Sequence, residues 1–211
     1  MTEKNKNKNQ KAKKFDIRLI TLGHGAVGKT SLIVRYTDEK FTPIYLQTIG
    51  FDNKFKTIQL EDGNQIRIIL SDTAGQEKYH SIAANYTKKG DGILLIYDIT
   101  NEKSFDSVKN WAKQMIEEYN DSKPMILIGN KTDLEDNRCI SKEQGEEFAK
   151  SCLSGINFYE TSCKTGDNVN KALEDLVKQV YKKKYGNQSV EKTDTIKIKN
   201  NNQNVSRNCC K

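Results

Sequence analysis

Read for its apolar positions, the chain falls into short hydrophobic runs separated by longer amphipathic stretches. The runs Phe15–Leu22, Phe51–Leu60, Gln65–Ser71, Gly92–Tyr97, Met125–Gly129 and Ile156–Glu160 predict strands. Gly92-Ile93-Leu94-Leu95-Ile96-Tyr97 lacks polar alternation, as a strand covered on both faces does. Glu61-Asp62-Gly63-Asn64 reads as a hairpin turn, so the second and third strands should pair antiparallel. Helices are expected from Gly28, over Ser104–Tyr119, over Ser141–Ser151 and over Asn168–Lys184. Ser141 with Gln144 three residues later forms a capping-box start. In the last helix Val169, Leu173, Leu176, Val177 and Val180 recur on one face, and Trp111 reads as packing. Strands alternating with helices predict an α/β fold: a doubly wound, mostly parallel six-stranded sheet with helices on both faces. Ligands are then expected at the carboxyl ends of the strands.

Charge divides the 211 residues into three parts. Residues 1–14 carry six Lys against Glu3, a net +5, and residues 182–211 carry seven Lys and Arg207 against Glu191 and Asp194, a net +6. The whole chain is +7, which leaves −4 for the residues between. Basic ends suit anionic partners, either nucleic acid or the cytoplasmic leaflet, and a Lys/Asn run also reads simply as solvated chain. No apolar run approaches the roughly 20 residues that span a bilayer. The opening Lys/Asn stretch has no apolar core and does not resemble a secretory signal. Cys139, Cys152 and Cys163 are scattered without metal-like spacing and Cys209 and Cys210 are adjacent, so the five cysteines read as reduced thiols rather than a disulfide framework.

The chemistry starts where the first strand meets the first helix. Gly23-His24-Gly25-Ala26-Val27-Gly28-Lys29-Thr30 fits the G-x-x-x-x-G-K-[ST] pattern in the strand–loop–helix context that pattern needs. Successive backbone N–H groups and the helix N-terminus can cradle phosphate oxygens. Lys29 supplies a cation to the β- and γ-phosphates, the Thr30 hydroxyl can ligate magnesium, and Ser31 follows as part of the same nucleotide-binding run. Asp72-Thr73-Ala74-Gly75-Gln76-Glu77 follows the third strand: Asp72 is placed for magnesium, Gly75 for the γ-phosphate and Gln76 to orient an attacking water.

Asn130-Lys131-Thr132-Asp133 follows the fifth strand, where a base would lie. An Asp133 carboxylate can accept from N1–H and the exocyclic amine of guanine, which adenine cannot satisfy. Ser162-Cys163-Lys164, after the sixth strand, can offer loop N–H groups to the guanine carbonyl.

On these four ordered motifs, with Gln47-Thr48-Ile49-Gly50 as a fifth between the first two, the chain resembles a Ras-superfamily small GTPase, and within it the Rab family, over roughly residues 15–182. The resemblance implies that Thr48 is the switch I threonine touching magnesium and γ-phosphate, and that Phe41 lies edge-on to guanine. It implies slow Mg²⁺-dependent hydrolysis of GTP to GDP, with Lys29 and Gln76 as the catalytic groups. No arginine stands in the phosphate loop or beside Gln76, so a partner is expected to supply a catalytic group. Implied partners are a guanine-nucleotide exchange factor, a GTPase-activating protein, an escort protein or GDP-dissociation inhibitor, and effectors of membrane traffic. A nucleotide-locked scaffold with little turnover is the alternative.

The sequence departs from the Rab pattern in places. His24-Gly25-Ala26 replaces the usual Asp-Ser-Gly, and Cys163 replaces an Ala. Where Rab proteins carry an effector-reading Phe, Trp and Tyr, this chain has Asn53, Ser71 and Tyr86, a smaller and more polar surface. From 185 to 211 the composition reads as a disordered tether bearing Asn208-Cys209-Cys210-Lys211. Asn208 excludes the C-a-a-X pattern, and Cys209-Cys210 resembles the Rab double-geranylgeranyl signal. The expected location is the cytoplasmic face of intracellular or plasma membranes with a cytosolic pool. The basic ends lack the aromatic interleaving expected of a nucleic-acid binder.

Overall fold

The computed structural model describes residues 12–43, 51–61, 63–73, 87–119, 123–151, 153 and 155–186. Six strands form one sheet in the order β2-β3-β1-β4-β5-β6. They are β1 Lys14–Leu22, β2 Phe51–Gln59, β3 Gln65–Thr73, β4 Gly92–Asp98, β5 Met125–Asn130 and β6 Asn157–Thr161. The helices are α1 Lys29–Asp38, α2 Glu102–Tyr119, α3 Lys142–Ser151 and α4 Val169–Tyr185. Every strand pair is parallel except β2 with β3, whose antiparallel register runs from Phe51 opposite Thr73 to Gln59 opposite Gln65. Gly63, at φ 85°, supplies the left-handed turn residue between them.

The expected elements all form, with ends that move by one or two residues. Thr132–Asn137, for which no element is expected from the sequence, is a short 3₁₀ helix that includes Asp133 of the motif after the fifth strand. Its six residues carry three carboxylates and only one apolar side chain, so no periodic face announces it. The capping box closes in both directions: Ser141 N donates to Gln144 Oε1 at 2.7 Å, and Gln144 N donates to Ser141 Oγ at 3.2 Å.

Two cores lie on the two faces of the sheet. On one, Leu32, Ile33 and Tyr36 of α1 and Leu173, Leu176, Val177 and Val180 of α4 pack on Ile17, Leu19, Ile68, Leu94 and Ile128. On the other, Phe105, Val108, Trp111 and Met115 of α2 and Ala149 of α3 pack on Ile20, Ile93, Leu95 and Leu127. Neighbouring residues of β4 thus enter opposite cores, which is why that strand reads as unbroken apolar sequence. Burying each of the Val, Leu, Ile, Phe and Met side chains among these contributes about 1.5–3 kcal/mol. The sheet is rigid from both sides, and the loops at its carboxyl edge hang from fixed points.

Candidate functional site

The carboxyl ends of β1, β3, β4, β5 and β6 meet at one pole of the sheet, and each ends in a polar residue or loop. The loop after β1 turns back against the sheet closely enough that side chains are excluded. A Cβ on Gly23 would come within 2.1 Å of the Ile96 carbonyl oxygen, and one on Gly28 within 2.4 Å of Asn130 Nδ2. Gly28 also sits at φ 97° as the N-cap of α1, so the helix begins without a side-chain cap and its first N–H groups face the loop. Val27, 1% exposed, anchors the loop in the core. Ala26 holds a positive φ of 62°, a conformation a non-glycine residue adopts at a cost of about 1–3 kcal/mol.

Lys29 is buried at the centre of this turn. Its ammonium donates to the carbonyls of Gly23 at 2.8 Å and His24 at 2.7 Å, curled under the loop. His24 folds its ring onto the Gly25 carbonyl, Nδ1 to O 2.9 Å. Ser31 follows, half-buried on α1. Thr30 reaches across to β3 and donates from Oγ1 to Asp72 Oδ2 at 2.7 Å. A buried carboxylate and a hydroxyl brought together from residues 42 apart are hard oxygen donors of the type magnesium takes. The pair fits that metal.

The other side of this pole is built from loops braced against one another. Asn130, 1% exposed, donates from Nδ2 to the Val27 carbonyl at 2.8 Å, and its Oδ1 accepts from Thr161 Oγ1 at 3.1 Å and Cys163 Sγ at 3.3 Å. Its amide is therefore a strut between the phosphate loop and the loop after β6. Lys131 has a left-handed φ of 72° and pairs with Asp98 at 2.7 Å. Asp98 in turn accepts from the Thr100 N–H and hydroxyl at 2.9 and 2.7 Å. Asp133 accepts from Ser162 Oγ at 2.6 Å, with the Lys164 ammonium 3.9 Å away. Burial pushes the Cys163 thiol up to about 12, so it stays neutral in its slot. Phe41 is half-buried against the core that contains Cys163.

Two positions escaped the reading of the sequence. Asp98 closes the apolar run of β4, and a carboxylate at the carboxyl end of a central strand was a usable signal. Arg35 on α1 was not legible: its Nε donates to the Cys163 carbonyl at 2.6 Å and its NH2 to that of Lys164 at 2.5 Å. It fixes a loop 128 residues away. Thr48, Gly75, Gln76, Tyr86, Cys209 and Cys210 lie outside the described residues.

A glycine-lined turn over a buried lysine, a Thr–Asp oxygen pair and a carboxylate braced by a neighbouring loop thus lie together at the carboxyl pole of the sheet. The family model described as "Ras family" matches residues 18–182, and the chain belongs to that family of small GTPases, which hydrolyse GTP. Its curated relatives are more specific. It is 37% identical over 194 residues to "Ras-related protein Rab-10" of Caenorhabditis elegans, covering 92% of this chain and 95% of the relative. It is 38% identical over 199 residues to "Ras-related protein SEC4" of Saccharomyces cerevisiae, covering 92% and 91%. It is 41% identical over 174 residues to "Ras-related protein Rab-8B" of Homo sapiens, covering 82% and 83%. The chain is a Rab-like small GTPase.

Proposed function

We propose that this protein is a Mg²⁺-dependent guanine-nucleotide switch that turns over GTP slowly and recruits effectors at membranes in its GTP state. Lys29 and the backbone N–H groups of residues 23–31 hold the β- and γ-phosphates, with charge already arranged where it develops in the transition state. Thr30, Asp72 and Thr48 would hold Mg²⁺, which neutralises phosphate charge when bound. Gln76 orients the attacking water, and Gly75 donates its N–H toward the γ-phosphate. Asp133 selects guanine, Lys131 and Phe41 flank the base, and the N–H groups of Ser162, Cys163 and Lys164 face its carbonyl. Loss of the γ-phosphate releases Thr48 and Gly75, and that change is what partners read.

The observation that best supports this reading is the bracing of Asp133. A carboxylate held by Ser162 at 2.6 Å, on a loop tied through Asn130 to the phosphate turn, is aimed rather than merely present. The Rab-like sequence supports a role in vesicle traffic, with an exchange factor, an activating protein, an escort protein and effectors as partners. Geranylgeranyl groups on Cys209 and Cys210 would hold the protein on the cytoplasmic face of membranes, since two chains anchor stably where one is marginal. Single-turnover hydrolysis of bound GTP by the parent and Gln76→Leu tests the switch. Slower hydrolysis with unchanged GTP affinity is expected; equal rates would remove Gln76 from the reaction.

A further inference from the structure

In the loop after β6 three successive carbonyls are held from the α1 side or from within the loop. Ser162 O accepts from the Gly166 N–H at 2.8 Å, Cys163 O from Arg35 Nε at 2.6 Å, and Lys164 O from Arg35 Nη2 at 2.5 Å. Arg35 is half-buried on α1, and its Nη1 donates to the Glu39 carbonyl at 3.1 Å, where that helix ends. One guanidinium thus grips two consecutive carbonyls of a distant loop while its third nitrogen is fixed to its own helix. A planar fork of rigid geometry suits that task, and a flexible ammonium does not.

In a planar trans peptide the N–H points away from the C=O. Drawing the Cys163 and Lys164 carbonyls toward α1 therefore turns the N–H groups of Lys164 and Thr165 to the opposite side of the loop. That side faces Asp133. The Thr165 N–H donates to Ser162 Oγ at 3.1 Å, and Ser162 Oγ donates to Asp133 Oδ1 at 2.6 Å. The Ser162 N–H is turned inward to the Asp167 carbonyl at 3.2 Å, which narrows the base-facing donors of the loop to Cys163 and Lys164.

We propose that Arg35 is a positioning residue for base recognition: by gripping the Cys163 and Lys164 carbonyls it aims the Lys164 N–H at the ring carbonyl of guanine. The proposal rests on the guanine-site reading given above. Arg35 touches no nucleotide itself; it acts through the peptide it orients.

The test compares full-length parent, Arg35→Ala and Arg35→Lys for affinity toward GDP, inosine diphosphate and the diphosphate of 2-aminopurine riboside, all with Mg²⁺. Inosine keeps the ring carbonyl and lacks the exocyclic amine; 2-aminopurine keeps the amine and lacks the carbonyl. Arg35→Ala is expected to weaken GDP and inosine diphosphate alike by at least about fivefold, the worth of a misaimed hydrogen bond, and the 2-aminopurine nucleotide by less than about twofold. Arg35→Lys keeps charge and stem and should show the same pattern at about threefold, which carries the test if the Ala variant does not fold. An equal loss for all three nucleotides overturns the proposal, because a merely structural arginine would weaken them together. So does undiminished GDP affinity in either variant. A parent that binds the 2-aminopurine nucleotide as tightly as GDP sinks the guanine-site reading and the proposal with it; a parent that prefers GDP, with losses spread evenly over the three, sinks the role of Arg35 alone.

Discussion

The nucleotide pole and the outer face of β2–β3 are held together in opposite ways. At the pole several polar side chains are fixed by groups from distant elements: Thr30 by Asp72, Asn130 by the Val27 carbonyl and Thr161, Lys131 by Asp98, Asp133 by Ser162. On the outer face the register sets Asn53 beside Ser71 and Phe55 beside Ile69. There Ser71, itself buried, donates from Oγ to the exposed Asn53 Oδ1 at 2.8 Å, and Phe55 stands 59% exposed. A substitution at the pole leaves a buried partner unpaired, whereas removing the Ser71 hydroxyl leaves the exposed Asn53 amide, which water can satisfy. That difference can be measured.

The largest effect belongs to Asp133→Asn. Two hydrogen bonds to a charged acceptor are lost, each worth about 1.5–3 kcal/mol, so GTP affinity should fall by about 10²–10⁴-fold with a shift toward xanthine nucleotides. Titration with GTP and XTP checks it, and unchanged GTP binding would remove Asp133 from base selection. Asn130→Ala comes next. It strands the Val27 carbonyl and the Thr161 hydroxyl in a buried setting, at about 1–3 kcal/mol for each group. Denaturant unfolding should show a loss of about 3 kcal/mol, with weaker nucleotide binding even though the side chain is a strut between loops.

Cys163 gives a smaller, pH-dependent effect. Burial raises its folded thiol to about 12, above the value of about 8.5 for a free thiol. The folded state therefore retains a proton the unfolded chain has shed. The stabilisation is complete below about pH 8.5 and is lost as pH rises toward 12, at about 1.4 kcal/mol per unit. Unfolding at pH 8 and pH 10 under reducing conditions should show a shallower alkaline loss in Cys163→Ala than in the parent. Tyr159, raised to about 12 by burial and its bond to Asp175, contributes equally to both proteins and cancels.

The same contrast explains what the sequence could disclose. β4 and the capping box at Ser141 were legible because period and end chemistry are local. The phosphate turn was legible because its glycines answer to sterics: at Gly23 and Gly28 no Cβ fits. Arg35 was hidden because its partners, the carbonyls of Cys163 and Lys164, come from main chain that the sequence does not mark. Asn130 was found for its place in a motif, yet its bracing of two loops required the fold. The bond between Asn53 and Ser71 was likewise invisible. It depends on a register that the hairpin fixes but the two residues do not announce.

The smallest expected effects fall on the outer face, where the comparison can be broken most sharply. Ser71 and Asp72 are consecutive in β3, so their side chains leave on opposite faces. Asp72 goes to Thr30 and the nucleotide pole; Ser71 goes to Asn53. Ser71→Ala removes one hydroxyl whose partner is exposed to water, and the strut from Thr21 to the Ser71 carbonyl is untouched. Stability should fall by no more than about 1 kcal/mol. Phe55→Ser, at an exposed position, should change it by about 0.5 kcal/mol or less. Neither should alter GTP affinity by more than twofold. A larger change in nucleotide binding from Ser71→Ala would mean that the two faces of one strand are coupled, and that Ser71 and Asn53 help set the geometry of Asp72.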